Sequence, residues 1–77
     1  MIKYTRRGKA LTYAHDAAEV TALITPAAYE GTTGYRYEVR QFGRVLDEGT
    51  WLTQGVAKAK ANQWIAVAVE AATGEAL

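Results

Sequence analysis

The sequence predicts an α+β fold: a three-stranded antiparallel sheet packed on one C-terminal helix (βββα), with an N-terminal arm or extra strand. Three observations carry this. Tyr35 to Phe42 alternates aromatic or aliphatic residues with charged ones, then turns at Gly43 into a return run that reaches Leu52. The stretch from Gln54 to Ala72 is dense in alanine and follows Thr53, whose hydroxyl can accept a bond from the unpaired amides of a first helical turn. The chain has 77 residues and no cysteine, which implies one domain, 1–77, held by packing or oligomerisation rather than by disulfides.

Residues 1–16 mix Lys3, Arg6, Arg7 and Lys9 with the hydrophobes Tyr4, Leu11 and Tyr13 without a clear period, and read as a basic arm or irregular strand. The sheet is expected within 18–52. "AEVTALIT", Ala18 to Thr25, is rich in β-branched and aliphatic residues and is stopped by Pro26, which has no N–H for a ladder. "PAAYEGTTG" reads as a loop. Along the next strand Tyr35, Tyr37 and Val39 share one face and Arg36, Glu38 and Arg40 the other. If Val39 sits opposite Leu46, the core gains Leu46 and Leu52, while Val45, Asp47 and Trp51 join the arginine face. The helix, 53–73, would bury Ala57, Ala61, Trp64, Ile65, Ala68 and Ala72, leave Val56 and Val67 exposed, and stop at Gly74.

Nine basic and eight acidic side chains give a net charge of +1, well short of the excess that by itself announces nucleic acid, so an electrostatic partner has to read a local patch. No apolar run approaches the length of a membrane span, and "MIKYTRRGKALTYA" lacks a secretory pattern; the expectation is a soluble, cytoplasmic protein.

The sequence carries no catalytic, cofactor or metal signature. His15, beside Asp16 and near Glu19, reads as a solvated or capping residue, and the further ligands of a zinc site are not apparent. Asp47 and Glu48 are adjacent and point to opposite faces of a strand, which argues against a cooperating acid pair. "GTTG" has neither the lysine nor the spacing of a phosphate loop. Two surfaces remain. The arginine face offers Arg36, Arg40, Arg44 and Trp51, residue types enriched at binding hot spots. The arm offers Lys3, Arg6, Arg7 and Lys9 as phosphate-compatible charges.

The run "YRYEVRQFGRVLDEGTWLTQGVAKAKANQW" resembles the three-strand-plus-helix layout of AP2-type and integrase arm-binding domains, through Arg36, Arg40, Gly43, Gly49, Thr50, Trp51, Thr53, Ala57 and Ala61. That resemblance, covering under half of the chain, implies DNA contact by the sheet face through Arg36, Arg40, Arg44 and Trp51. By size and format alone the chain is similar to the small accessory proteins of phages and mobile elements, including anti-CRISPR and other anti-defence inhibitors. The expected function is a non-enzymatic binding protein that occludes a macromolecular partner, a protein first and a nucleic acid second, through the open sheet face. A homodimer is a further expectation.

Overall fold

The computed structural model describes residues 2–77 and shows a five-stranded antiparallel sheet with one helix on one side of it. The strands are β1 (Thr5–Arg7), β2 (Ala10–His15), β3 (Val20–Tyr29), β4 (Thr32–Gln41) and β5 (Arg44–Trp51), followed by α1 (Gln54–Thr73). Each strand lies beside its predecessor, so the sheet is a meander in the order β1-β2-β3-β4-β5.

The α+β class stands, but the three-stranded sheet does not: the supposed arm, Met1 of which lies outside the described residues, is a hairpin that adds two strands. Ile2 and Tyr4 pack against the core, whereas Lys3 and Thr5 are exposed. Arg6 lies opposite buried Leu11 where a hydrophobe would have made the alternation readable. A cross-sheet bond from the Tyr4 hydroxyl to Asn62 Oδ1 (2.7 Å) ties this hairpin to the helix.

Pro26 does not end its strand either. β2 pairs with residues 20–24 of β3, so beyond Ile24 that side of β3 has no neighbour, and a proline lacking an N–H there costs no ladder bond. Pro26 sits opposite Tyr35, and the expected loop closes into a hairpin at Glu30 and Gly31, with φ of 46° and 79°. At its closing end Gly34 is buried because the Tyr29 side chain and the Trp51 carbonyl lie against it.

The β4–β5 hairpin turns at Phe42 and Gly43, with φ of 51° and 78°, the double left-handed geometry that asparagine-glycine serves best. Phe42 is 64% exposed, so its ring gains little packing there to offset its backbone strain. Phe42→Asn is therefore expected to stabilise the fold by about 1 kcal/mol, read as a higher thermal midpoint; an unchanged or lower midpoint would count against strain at this turn.

One bulge decides the faces of β5. Val39 pairs with Asp47 and Arg40 with Val45, leaving Leu46 as the extra residue. The expected pairing of Val39 with Leu46 is thus displaced by one residue. Trp51 lies opposite Tyr35 on the helix side, and Leu52 is 56% exposed instead of buried.

The core is Leu11, Ala18, Val20, Ala22, Ile24, Tyr37 and Val39 of the sheet side with Ala57, Ala61, Ile65, Ala68 and Val69 of the helix. Trp64 and Ala72, expected in that stripe, are exposed. Three fully packed alanines bring the helix close to the sheet, and the narrow gap takes Ile65 and Val69 but leaves the larger indole at the margin. Both ends are capped as the sequence predicts: Thr53 accepts a bond from Val56 N–H (3.2 Å), and Gly74, at φ 75°, donates its N–H to the Glu70 carbonyl (2.8 Å).

Candidate functional site

The helix covers one side of the sheet, and the other side is open. Directly opposed residues in an antiparallel pair share a face, so the register assembles the open side row by row. Thr5, Thr12, Leu23, Glu38 and Glu48 form one row across all five strands. Thr25, Arg36 and Thr50 flank it on one side, and Ala14, Thr21, Arg40 and Val45 on the other. Leu23, at 39% exposure, is the apolar centre of the face.

The charges are distributed unevenly. Arg36 bonds Glu48 and, at 3.3 Å, Glu38; the Arg40 Nε meets the other Glu38 oxygen at 2.6 Å. Arg40 also donates to the Gly43 carbonyl (3.2 Å), which ties this network to the turn. The Arg40 guanidinium, helped by Arg36 and opposed by partial desolvation, holds the Glu38 carboxyl below its ordinary range. Toward β1 the face changes character. A concavity of about 600 Å³ is lined by Lys3, Thr5, Arg7, Thr12, Leu23 and Arg40 among others, and among the described residues neither Lys3 nor Arg7 has an acidic partner.

Of the residues read from the sequence as a binding set, the structure brings Arg36 and Arg40 together on this face and leaves out the other two. Arg44 lies opposite Gln41, whose amide reaches the Ala18 and Ala68 carbonyls on the helix side (3.2 and 3.3 Å). Trp51 faces the helix, where Lys60 Nζ stands 5.0 Å from its ring centroid. The basic set divides too: Lys3 and Arg7 line the concavity, Arg6 is opposite Leu11 on the helix side, and Lys9 sits in the β1–β2 turn. Leu23 and the threonines were missed. Their signal was present in "VTALIT", where Val20, Ala22 and Ile24 turn inward and Thr21, Leu23 and Thr25 outward.

Beneath Trp51 lies a polar cluster. The Tyr37 hydroxyl donates to Asp47 Oδ2, and the Trp51 indole Nε1 is buried with no hydrogen-bond partner among the described residues. Burial, then the Asp47 carboxylate, push the Tyr37 phenol up to about 12. Tyr4 is likewise pushed up to about 12, by burial and then by Tyr13, whose ring centroid lies 6.0 Å away. A phenol whose folded pKa exceeds its unfolded value stabilises the fold below the unfolded pKa, and that stability is lost as pH rises through the folded one. Stability should therefore fall between about pH 10 and pH 12. Absorbance titration at the phenolate band should show Tyr4 and Tyr37 ionising last, together with loss of the fold; if every tyrosine ionises near pH 10 with the fold intact, this account fails.

His15 accepts a bond from Ala18 N–H at Nδ1 (3.2 Å), so its ring caps the β2–β3 turn. Asp47 and Glu48 do point to opposite faces, one to Tyr37 and the other to Arg36. Among the described residues no group of three His, Asp or Glu side chains is placed to hold a metal, and no helix is long and apolar enough to cross a membrane.

The fold and its exposed surface define a one-sided antiparallel meander, with a helix on one face and a ridged, partly ion-paired surface on the other. No known family, curated protein or solved structure matches the chain.

Proposed function

We propose that this is a small non-enzymatic binding protein that docks on a protein partner through the open sheet face and acts by occlusion, in the manner of the accessory inhibitors that phages and mobile elements carry. The observation that supports this reading is the uncovered row Thr5, Thr12, Leu23, Glu38 and Glu48, with an exposed leucine at its centre. Around Leu23 the ion pairs of Arg36 and Arg40 with Glu38 and Glu48 hold long side chains in place before a partner arrives, which lowers the entropy lost on association. Strands make the face rigid, so its shape survives docking.

Immobilised native protein should retain a partner from a host lysate that Leu23→Glu loses and Val67→Glu keeps. Val67 is 61% exposed on the helix and serves as the control for added charge. Equal retention by both variants would remove the open face from the reading.

Nucleic-acid binding is the second reading, favoured by the placement of Lys3 and Arg7 on the same face as Arg36 and Arg40. It predicts micromolar, salt-sensitive binding to mixed DNA or RNA oligonucleotides, lost in an Arg36→Ala/Arg40→Ala variant.

A further inference from the structure

Resting on the docking reading, we infer that the partner element received by the concavity is an extended acidic peptide segment, with carboxylates on Lys3 and Arg7 and an apolar side chain against Leu23. Among the described residues the open face carries four cations, Lys3, Arg7, Arg36 and Arg40, and two carboxylates, Glu38 and Glu48. Both carboxylates are committed to Arg36 and Arg40. The positive excess is therefore concentrated at Lys3 and Arg7, at the β1 end of the concavity.

These two residues are four apart in the chain with Thr5 between them, a separation of roughly 13 Å along an extended backbone. An extended acidic segment repeats its carboxylates with that same rise, so two acids four residues apart match the two cations. Thr5 and Thr12, paired in register, add hydroxyls between the charges. Leu23 lies in the same row as those threonines and supplies an apolar contact.

A phosphate backbone would satisfy the cations but not the rest of the surface. The one aromatic ring among the lining residues is Tyr13, which lies opposite Ala22 and packs on the helix side with Tyr4, so bases find no stacking platform in the concavity. Charge on β1 additionally blunts a sheet edge against unwanted pairing. That role is served equally by Arg6 and Lys9, which point elsewhere, and it does not call for an exposed leucine beside the charges.

The test is fluorescence anisotropy with a labelled oligoglutamate peptide carrying a central leucine, beside its glutamine counterpart and an oligothymidylate. The native protein should bind the acidic peptide and not the glutamine one. Lys3→Ala/Arg7→Ala should weaken binding about tenfold or more, whereas Arg6→Ala/Lys9→Ala, which removes the same charge off the face, should change it by less than about twofold. Thermal midpoints of both variants are measured alongside, so that unfolding is not mistaken for lost affinity.

No binding, equal losses from the two variants, or tighter binding of oligothymidylate would each overturn the acidic-segment assignment. If the peptide fails while Leu23→Glu still loses its captured partner, the assignment alone is wrong. If Leu23→Glu loses nothing, the docking reading falls with it.

Discussion

Gly34→Ala is expected to lower the stability of the domain by about 2–3 kcal/mol, a fall in thermal midpoint of roughly 10–20 °C for a chain of this size. A Cβ built at Gly34 would lie 2.7 Å from the Tyr29 Cβ and closer still to the Trp51 carbonyl oxygen. Neither neighbour is the free end of a flexible side chain. Relief requires the β3–β4 hairpin to splay or the end of β5 to move, and the latter would drag Trp51 away from the core it packs against. Removing the ring as well, in Tyr29→Ala/Gly34→Ala, should restore little of the loss, because residue 29 keeps its Cβ and the Trp51 carbonyl also remains. A single variant that melts within a few degrees of the native protein would show that the strand ends yield freely.

Ile65→Ala should cost about 3 kcal/mol, within the range for deleting a fully buried isoleucine and leaving a cavity. Ile65 has no exposed surface and belongs to the narrow contact that Ala57, Ala61 and Ala68 set between helix and sheet. Small domains hold only a modest reserve of stability, so this one change should bring the chain close to its unfolding threshold at physiological temperature. Trp64→Ala removes more atoms, yet it should cost less than half as much, because the indole is 37% exposed at the margin of the same contact. Urea midpoints of the two variants check the order; a larger loss from Trp64→Ala would mean that the indole, and not Ile65, anchors the helix.

The contrast between those two residues shows where the sequence was readable. Thr53 and Gly74 were legible because each cap depends on one residue type at one place, and the alternation from Tyr35 to Val39 was legible because a strand has a period of two. The helix stripe was legible at Ala57, Ala61, Ile65 and Ala68 but not at Trp64 and Ala72, which are exposed, nor at Val69, which is buried: the alanines imply close packing, but how much volume remains beside them depends on the sheet. The faces of β5 were legible at Val45 and Leu46 but not beyond, since a single bulge at Leu46 exchanges Trp51 with its neighbours and no local residue announces that bulge. The first two strands were hidden for a different reason. β1 is only Thr5–Arg7, all exposed, and its pairing with β2 makes sense only once Ile2 and Tyr4 are seen against the core. Pro26 does not stop β3 because a proline breaks only a strand that has a neighbour on its N–H side, and there β3 has run past β2. As a result Arg36 and Arg40 were placed on the right face by alternation alone, while Trp51 and Arg44 depended on register and Leu23 on assigning both faces of β3.

The order of the elements has a consequence for biosynthesis. All five strands precede the helix and each needs only its immediate predecessor to pair, so hairpins can close one after another as the chain emerges. Their apolar side, with Ile24, Tyr37 and Val39, has no cover until the segment from Ala57 to Val69 has been made. A nascent chain therefore holds a nearly complete sheet with one bare greasy surface, the kind of intermediate that chaperones bind and that aggregates when they do not. Products of premature termination before Ile65 would keep every strand and lose the cover over the core, which makes synthesis of α1 the checkpoint between a usable domain and a substrate for proteolysis.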